Sequence, residues 1–317
     1  MVLRVAAVDA GTNTFRLLIA DRDGGVRHPL CKVQRITRLG RGYQRDVGLS
    51  AESMERAKEV LTEFSRLIDR HAPDRLRAVA TSIVREANNG RQFVEDVFRK
   101  TGIDLEVISG REEARLTARG VLQTVPAAGR AQLIFDIGGG STEFILVDLD
   151  GSVRVCMSYP FGVVKLTERY FAADNQPSSG YYSAARKHID RYLDAFIREL
   201  TIHGGYPLAE GTVLVGTAGT MTTFAAIDQQ LEIYDPGMIN GYALSFSRLA
   251  LLQEKLWKMD VNQRRQVHGL EPGREDVIVA GGLIALAMME RLGFDRVTVS
   301  DDGLLEGVAL SLLTGNL

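Results

Sequence analysis

The chain carries one short pattern twice: a strand-like apolar run, then Asp-x-Gly, then small hydroxyl or amide side chains. The first copy is VDAGTNTF at residues 8–15, and the second is FDIGGGSTE at residues 135–143. A single Asp-Gly turn between strands is usually only a hairpin. Three consecutive glycines are more demanding, because each costs roughly 0.5–1 kcal/mol of backbone entropy. Two copies at matching places predict a tandem duplication.

Hydrophobic periodicity extends the duplication over the whole chain. In the first half it predicts the order βββαβαβα, with strands near 4–9, 14–21, 26–34, 76–80 and 105–108 and helices near 50–70, 85–101 and 111–124. In the second half it predicts strands near 131–137, 141–148, 151–159, 212–215 and 297–300 and helices near 179–201, 220–227, 247–257, 275–291 and from Asp301 and Asp302 to about 313. We therefore predict an α/β protein with domains at 1–123 and 124–317, whose final helix, about 302–317, packs back on the first domain.

Composition narrows the class of protein. A formal net charge of −2 excludes a uniformly basic nucleic-acid binder, and we expect no specific nucleic-acid partner. The two cysteines, Cys31 and Cys156, form no CxxC pair, and the five histidines never fall at zinc-ligand spacing. No run approaches the ~20 apolar residues that span a bilayer. These features predict a cytoplasmic protein without a membrane partner.

The duplicated βββαβαβα order, with Asp-x-Gly between the first two strands of each copy, resembles the actin-like ATPase superfamily, whose domains are ribonuclease H-like. The resemblance implies two domains with an interdomain cleft, in which the hairpin turns clasp phosphate. The chemistry agrees, because glycines let N–H groups approach an anion, hydroxyls add donors and the aspartate offers an oxygen to Mg²⁺. A third loop, Gly216–Gly219, is a strand, a Gly-rich turn and a helix start, which also presents N–H groups to an anion.

Six motifs in order make the chain similar to the exopolyphosphatase and guanosine pentaphosphate phosphohydrolase family, in its short two-domain form. They are VDAGTNTFR at 8–16, ATSIVREA at 80–87, ISGREEAR at 108–115, FDIGGGSTE at 135–143, GTAGT at 216–220 and VSDDGLLEG at 299–307.

The resemblance implies roles for individual residues. Glu113 is the general base, although local sequence alone favours first-turn acids that only offset a helix dipole. Arg85 pairs with phosphate, and Mg²⁺ (or Mn²⁺) is held by Asp136 with Asp9 and Glu143 as helpers. The phosphate-binding residues are Gly11, Thr12, Asn13, Thr14, Gly138, Gly139, Gly140, Ser141, Gly216, Thr217 and Gly219.

The function predicted on this basis is an exopolyphosphatase that releases orthophosphate from inorganic polyphosphate. The alternative is a phosphohydrolase that converts guanosine pentaphosphate (pppGpp) to the tetraphosphate; an actin-like kinase and a non-catalytic sensor are less favoured. The segment from Lys32 to Arg45 carries five cations in fourteen residues, which favours steering of a polyanion over a merely solvated loop only if it lies at the cleft. At Arg41 relatives tend to carry an acid, so this chain is more basic there. The sequence leaves a homodimer open.

Overall fold

The computed structural model describes residues 3–23, 26–171 and 179–314. The chain forms two compact units, one of residues 1–120 with 303–317 and one of residues 121–302. We describe each unit by itself, and the predicted domain boundary at residue 123 stays a prediction. No helix in the described part of the chain is long and apolar enough to cross a membrane.

The first unit follows the predicted order of strands and helices. Its elements are β1 (Leu3–Ala10), β2 (Thr14–Asp23), β3 (Val26–Ile36), α1 (Ala51–His71), β4 (Arg75–Ala80), α2 (Ser82–Glu86), α3 (Gly90–Thr101), β5 (Leu105–Val107) and α4 (Gly110–Thr124). The five strands form one sheet in the order β3-β2-β1-β4-β5. Strands β1, β4 and β5 are parallel, with Ala10 beside Ala80 and Ala80 beside Val107. The loops that follow these three strands therefore emerge at one edge of the sheet.

Helix α1 begins at a serine cap. Ser50 is extended, and its side chain accepts a hydrogen bond from the Ser53 N–H at 3.2 Å. The helix then buries Ala57, Leu61 and Phe64 against the sheet core. The cap satisfies one of the N–H groups that a helix start leaves without a partner.

We expect Ser50→Ala to lower the free energy of unfolding by about 0.5–2 kcal/mol, because the Ser53 N–H loses its acceptor. Urea unfolding measures this directly. Ser50→Asp is the matched control, since it keeps an acceptor oxygen and should retain most of the stability. Equal stability of the alanine and wild-type proteins would show that the cap contributes nothing.

The last helix, α12 (Leu304–Thr314), completes the first unit. Leu305, Val308 and Ala309 are buried with Val5 and Ala7, which lie on the other face of the sheet from the α1 core. Helices α4 and α12 approach closely: a Cβ on Gly307 would lie 1.8 Å from the Leu116 carbonyl oxygen. A glycine is therefore required where these two helices meet.

The second unit repeats the five-stranded sheet of the first unit and adds one strand and further helices. Its elements are β6 (Gln132–Ile137), β7 (Thr142–Val147), β8 (Val153–Tyr159), α5 (Val163–Tyr170), α6 (Ser179–Ile202), β9 (Val213–Thr217), α7 (Ala218–Asp228), α8 (Pro236–Ile239), β10 (Ala243–Ser245), α9 (Phe246–Trp257), α10 (Val261–Arg264), α11 (Ile278–Leu292) and β11 (Arg296–Val299). The sheet order is β10-β11-β9-β6-β7-β8. Without β10, this is the strand order of the first unit read from the opposite edge. The predicted fold class, tandem actin-like α/β domains, is confirmed.

Three details differ from the sequence predictions. The helix predicted at 85–101 is two helices, α2 and α3, because Asn88 and Asn89 interrupt it and bind residues 46 and 49. Helices α5, α8 and α10 and the edge strand β10 were not predicted. Asp301 and Asp302 precede α12 and do not cap it. Instead, the Asp302 carbonyl accepts hydrogen bonds from Thr217 and Ser300.

Candidate functional site

The β1–β2 turn of the first unit is a tight loop of buried polar residues. The Gly11 N–H donates to the Thr14 carbonyl at 3.1 Å, which closes the turn. Thr12 and Asn13 are buried, and the Asn13 amide nitrogen Nδ2 has no hydrogen-bond partner within the described residues. A buried amide donor without an acceptor is costly. An anionic ligand in the turn would satisfy it.

The β6–β7 turn of the second unit has the same geometry. The Gly138 N–H donates to the Ser141 carbonyl at 3.0 Å, and Ser141 is buried. Gly138 thus corresponds to Gly11, and Ser141 to Thr14. The sequence duplication is therefore also a duplication of hydrogen bonding in the two turns.

The carbonyl groups of both loops are held from one side. In the first unit, the Thr12 carbonyl accepts from the Gly40 N–H at 2.9 Å. In the second, the carbonyls of Gly138 and Gly139 accept from the N–H groups of Val163 and Val164 at 3.0 and 2.9 Å.

Fixing these carbonyls also fixes the direction of the neighbouring N–H groups. A trans peptide unit is planar and its N–H points opposite to its C=O. The N–H groups of Asn13, Gly139 and Gly140 are therefore aimed away from the segments that hold the loops. Such oriented N–H groups form anion-binding concavities.

The aspartate before each turn faces a different partner. Asp9 lies opposite Arg16 across the β1–β2 pair, whereas Asp136 lies opposite Glu143 across the β6–β7 pair. Residues directly opposite in an antiparallel pair project from the same face, and like charges there are destabilising. The second unit thus brings two carboxylates together, while the first pairs a carboxylate with a cation.

Asp9 is bound by Arg16 through a single oxygen. The Arg16 Nε and Nη2 both donate to Oδ2, at 2.9 and 2.7 Å. Burial raises the pKa of the Asp9 carboxyl above its usual value, and the Arg16 guanidinium acts in the opposite direction. Because Oδ2 is engaged, Asp9 is a poorer direct metal ligand than the sequence pattern indicates.

Asp136 and Glu143 fit a magnesium ion better. Asp136 is 8% exposed and Glu143 is 1% exposed, and Ser158 Oγ donates to Glu143 Oε1 at 2.7 Å. Within residues 3–23, 26–171 and 179–314, no group of three or more histidine, cysteine, aspartate or glutamate side chains is arranged to hold a metal ion. Mg²⁺ does not require such a cage, since it is commonly held by one or two carboxylates, waters and substrate phosphates. Two facing buried carboxylates meet that requirement.

Arg85 and Glu113 lie together in the first unit. The Arg85 Nη1 donates to Glu113 Oε2 at 3.2 Å and to the Ile108 carbonyl at 2.7 Å. Ser109 caps α4, because its Oγ accepts from the Glu112 N–H at 3.1 Å. Glu113 is therefore placed in the first turn of α4, 7% exposed, with Arg85 fixing its carboxylate.

The neighbouring Glu112 has a different environment. Its side chain is 38% exposed, and its Oε1 accepts from Arg77 at 3.4 Å. Consecutive helix residues point about 100° apart, so the two acids face different groups. Local sequence did not distinguish the two acids, whereas their contacts and exposure differ.

The third loop follows β9 in the second unit. Asp136 lies beside Thr217 in the parallel β6–β9 pair, so this loop and the β6–β7 turn leave the same edge of the sheet. Ala218 has φ +64°, a left-handed conformation that costs a residue with a Cβ roughly 1–2 kcal/mol. Strain of this kind persists where the fold requires a particular loop conformation.

Arg274 is a residue of this site that the sequence analysis missed. Its guanidinium packs on Gly219, where a Cβ would lie 2.0 Å from Nη1. Arg274 is buried, and its Nε donates to Glu271 at 2.5 Å. The guanidinium lies at the start of α7, with part of its charge offset by Glu271. A lone arginine in a Pro-Gly turn carries no sequence pattern that could reveal it.

We expect Gly162→Ala to disrupt the glycine loop. A Cβ at this position would lie 2.4 Å from the Gly138 oxygen and 2.6 Å from the Gly139 oxygen, and both are backbone atoms. The loop must shift, which misdirects its N–H groups, so phosphate affinity should fall at least tenfold and the melting temperature should drop. Gly151→Ala is the control for phosphate binding: nothing lies within 4 Å of a Cβ there, but its φ of +84° strains an alanine, so its melting temperature should also drop while its phosphate affinity stays unchanged. Unchanged phosphate binding in Gly162→Ala would contradict the proposed orientation of the loop.

The chain has an actin-like fold with two matching loops whose N–H groups suit an anion, and this combination is typical of proteins that bind phosphate. Comparison with known proteins identifies the family. Residues 18–315 match the Ppx/GppA phosphatase family. The chain is 36% identical to Exopolyphosphatase 2 of Mycobacterium tuberculosis over 98% of both chains. The crystal structure of the Aquifex aeolicus Ppx/GppA family member matches with a TM-score of 0.81 and 30% identity over 100% of both chains. An exopolyphosphatase structure from Cytophaga hutchinsonii matches with a TM-score of 0.89 and 28% identity over 98% of both chains.

The chain belongs to the Ppx/GppA phosphatase family. The predicted family is therefore confirmed, and with it the class of enzyme, a phosphoanhydride hydrolase. The roles of individual residues remain predictions.

Proposed function

We propose that this protein is an exopolyphosphatase, which hydrolyses the terminal phosphoanhydride bond of inorganic polyphosphate and releases orthophosphate. The observation that carries the proposal is the duplicated turn, whose carbonyls are held from one side so that the N–H groups point to the other. Full-length similarity to Exopolyphosphatase 2 supports the substrate. The groups of a polyphosphate that can be recognised are its oxygens, and these accept hydrogen bonds from backbone N–H groups.

In this proposal the loops bind the phosphates. The backbone N–H groups of the loops at 11–14, 138–141 and 216–219 donate hydrogen bonds to phosphate oxygens, with the Asn13 amide and the Arg274 guanidinium as further donors. Donors that are fixed before the substrate arrives stabilise developing negative charge without reorganisation. The prediction that the loops of both units act on one substrate stays a prediction.

Asp136 and Glu143 would hold Mg²⁺ (or Mn²⁺) in the second unit. When bound, the ion would neutralise charge on the phosphate oxygens. Asp9, with Oδ2 on Arg16, would take part through its other oxygen or through water.

Glu113 would accept a proton from the attacking water, and Arg85 would position it. In the hydrolysis, the water oxygen forms a bond to the terminal phosphorus, the bridging P–O bond breaks, and the shortened chain leaves with the bridging oxygen. The water proton passes to a Glu113 carboxylate oxygen. Among the described residues, Arg85 makes its two side-chain hydrogen bonds through Nη1, so Nε and Nη2 remain able to donate to a ligand. We propose that a phosphate oxygen binds there.

A substrate panel tests the function. The protein is incubated with Mg²⁺ and polyphosphate, pppGpp, or ATP with sugar acceptors, and released orthophosphate is measured. Glu113→Gln, prepared in parallel, controls for a contaminating phosphatase. Phosphate release from polyphosphate is expected; release only from pppGpp would transfer the proposal to that substrate, transfer from ATP would indicate a kinase, and binding without turnover would indicate a sensor. Cytoplasmic location and a homodimer stay predictions.

A further inference from the structure

The second unit contains a cavity of about 730 Å³ that the proposed phosphate site does not use. It lies at the end of α7, against α9 and the α10 region, and we call it the α7–α9 pocket. Ile227 of α7 lines it, eight residues after Gly219. At 1.5 Å per residue, the two positions are about 12 Å apart along the helix. The pocket is therefore separate from the loop at the start of α7.

One face of α9 lines the pocket, and charged and apolar side chains alternate along it. Arg248, Leu252 and Lys255 are spaced four and three residues apart, which places them on one face of α9, and Met259 lines the pocket just after the helix ends. A stripe that packs in a core is normally apolar throughout, and a solvated stripe is normally polar throughout. The mixed stripe suits a ligand with one apolar part and one anionic part.

The apolar part of such a ligand would contact the floor. Ile227 and Leu252 are buried, and Met259 and Val267 are half-buried around them. The amides of Gln230 and Gln266 also line the cavity, and they can donate and accept hydrogen bonds to ring nitrogens and exocyclic groups. The volume is in the range of small-molecule sites, ~300–1,000 Å³.

The anionic part would contact the cations of the rim. Arg248, Lys255 and Lys258 line the pocket with one carboxylate, Glu254. Arg248 pairs with Asp228, and Lys258 pairs with Glu254 at 2.5 Å. In the part of the chain that the structure describes, Lys255 has no ion-pair partner. Lys255 therefore gives the rim of the pocket a positive charge, although the formal net charge of the chain is −2.

We propose that the α7–α9 pocket binds a purine nucleotide, with the base on the apolar floor and the phosphate on Lys255. The site is distinct from the phosphate loops and does not depend on the proposed function. Because α7 runs from the third loop to the pocket, a bound nucleotide lies on an element that the phosphate site also uses.

Equilibrium dialysis with ADP, in the presence of saturating polyphosphate and EDTA, tests the proposal. EDTA prevents turnover, and polyphosphate occupies the phosphate loops. One ADP per chain is expected, with Lys255→Glu weakening its affinity at least tenfold. Lys187→Glu makes the same charge change on the exposed face of α6, outside the pocket, and should leave ADP affinity unchanged.

Binding of the two components of ADP, measured separately, distinguishes a nucleotide site from a site for the base alone or for phosphate alone. Adenosine and inorganic phosphate should each bind at least tenfold more weakly than ADP. Adenosine binding as tightly as ADP, phosphate binding as tightly as ADP, or no ADP binding would each overturn the proposal. Polyphosphate hydrolysis by Lys255→Glu, measured with Mg²⁺, is expected at the wild-type rate. If the wild-type protein does not hydrolyse polyphosphate, the proposed function is refuted, whereas the ADP-binding result is unaffected.

Discussion

Glu113→Gln is expected to lower the turnover of polyphosphate by about 10²–10⁴-fold, which is roughly 3–5 kcal/mol at the barrier. The glutamine keeps the size of the side chain and can still contact Arg85, but it cannot take up the proton of the attacking water. Substrate affinity should be retained, because the phosphate donors lie in the loops. Single-turnover phosphate release and polyphosphate binding, measured on the same preparation, separate the two effects.

Glu112→Gln is the internal control for this experiment. Glu112 is adjacent on α4 but contacts Arg77, whereas Glu113 contacts Arg85. If first-turn acids only offset the helix dipole, both variants should lose ~0.3–1 kcal/mol of stability and keep their activity. Near-normal turnover in Glu112→Gln, with a large loss in Glu113→Gln, is the expected result. Equal and mild effects in both would leave the enzyme without its base and favour the sensor hypothesis.

Removal of the metal is expected to abolish turnover. EDTA should stop phosphate release, and added Mg²⁺ should restore it, because the facing carboxylates of Asp136 and Glu143 provide hard oxygen ligands. Mg²⁺ should also raise the melting temperature of the wild-type protein, since it binds only the folded arrangement. Full activity in EDTA would contradict the assignment of these residues.

Asp136→Asn separates metal binding from catalysis, because it removes one of two buried like charges. Mg²⁺ should no longer raise the melting temperature of the variant above its value in EDTA, because the ion has lost one of its carboxylate ligands. Asp9→Asn is the matched control at the corresponding position of the first unit. There the carboxylate faces Arg16, so its loss should lower stability in EDTA. Because Asp9 would be only a helper, Mg²⁺ should still raise the melting temperature of Asp9→Asn. An Mg²⁺ effect that survives in Asp136→Asn and is lost in Asp9→Asn would contradict the assignment of Asp136 as the main ligand.

Much of the fold could be predicted because its determinants are local. The apolar runs and the Asp-x-Gly turns each act within a few residues, and the strands and turns that they predict are present. Short elements such as α5 were missed, since Pro160 and Gly162 together are typical of a turn and the helix that follows has eight residues. The candidate loops were predicted correctly as backbone features, whereas the side chains that surround them were not.

The sequence by itself determined the duplication, the two hairpin turns and the glycine loops, because a repeated local pattern repeats its backbone conformation. Only the tertiary structure decided which groups hold those loops and what faces each aspartate. The N–H groups of Val163 and Val164 bind loop carbonyls that lie more than twenty residues earlier in the chain. Arg274 packs on Gly219, although more than fifty residues separate them in the sequence. Arg16 and Glu143 occupy equivalent positions, yet one neutralises an aspartate and the other adds to its charge. These contacts depend on strand register and on packing between distant segments, and no local pattern encodes either.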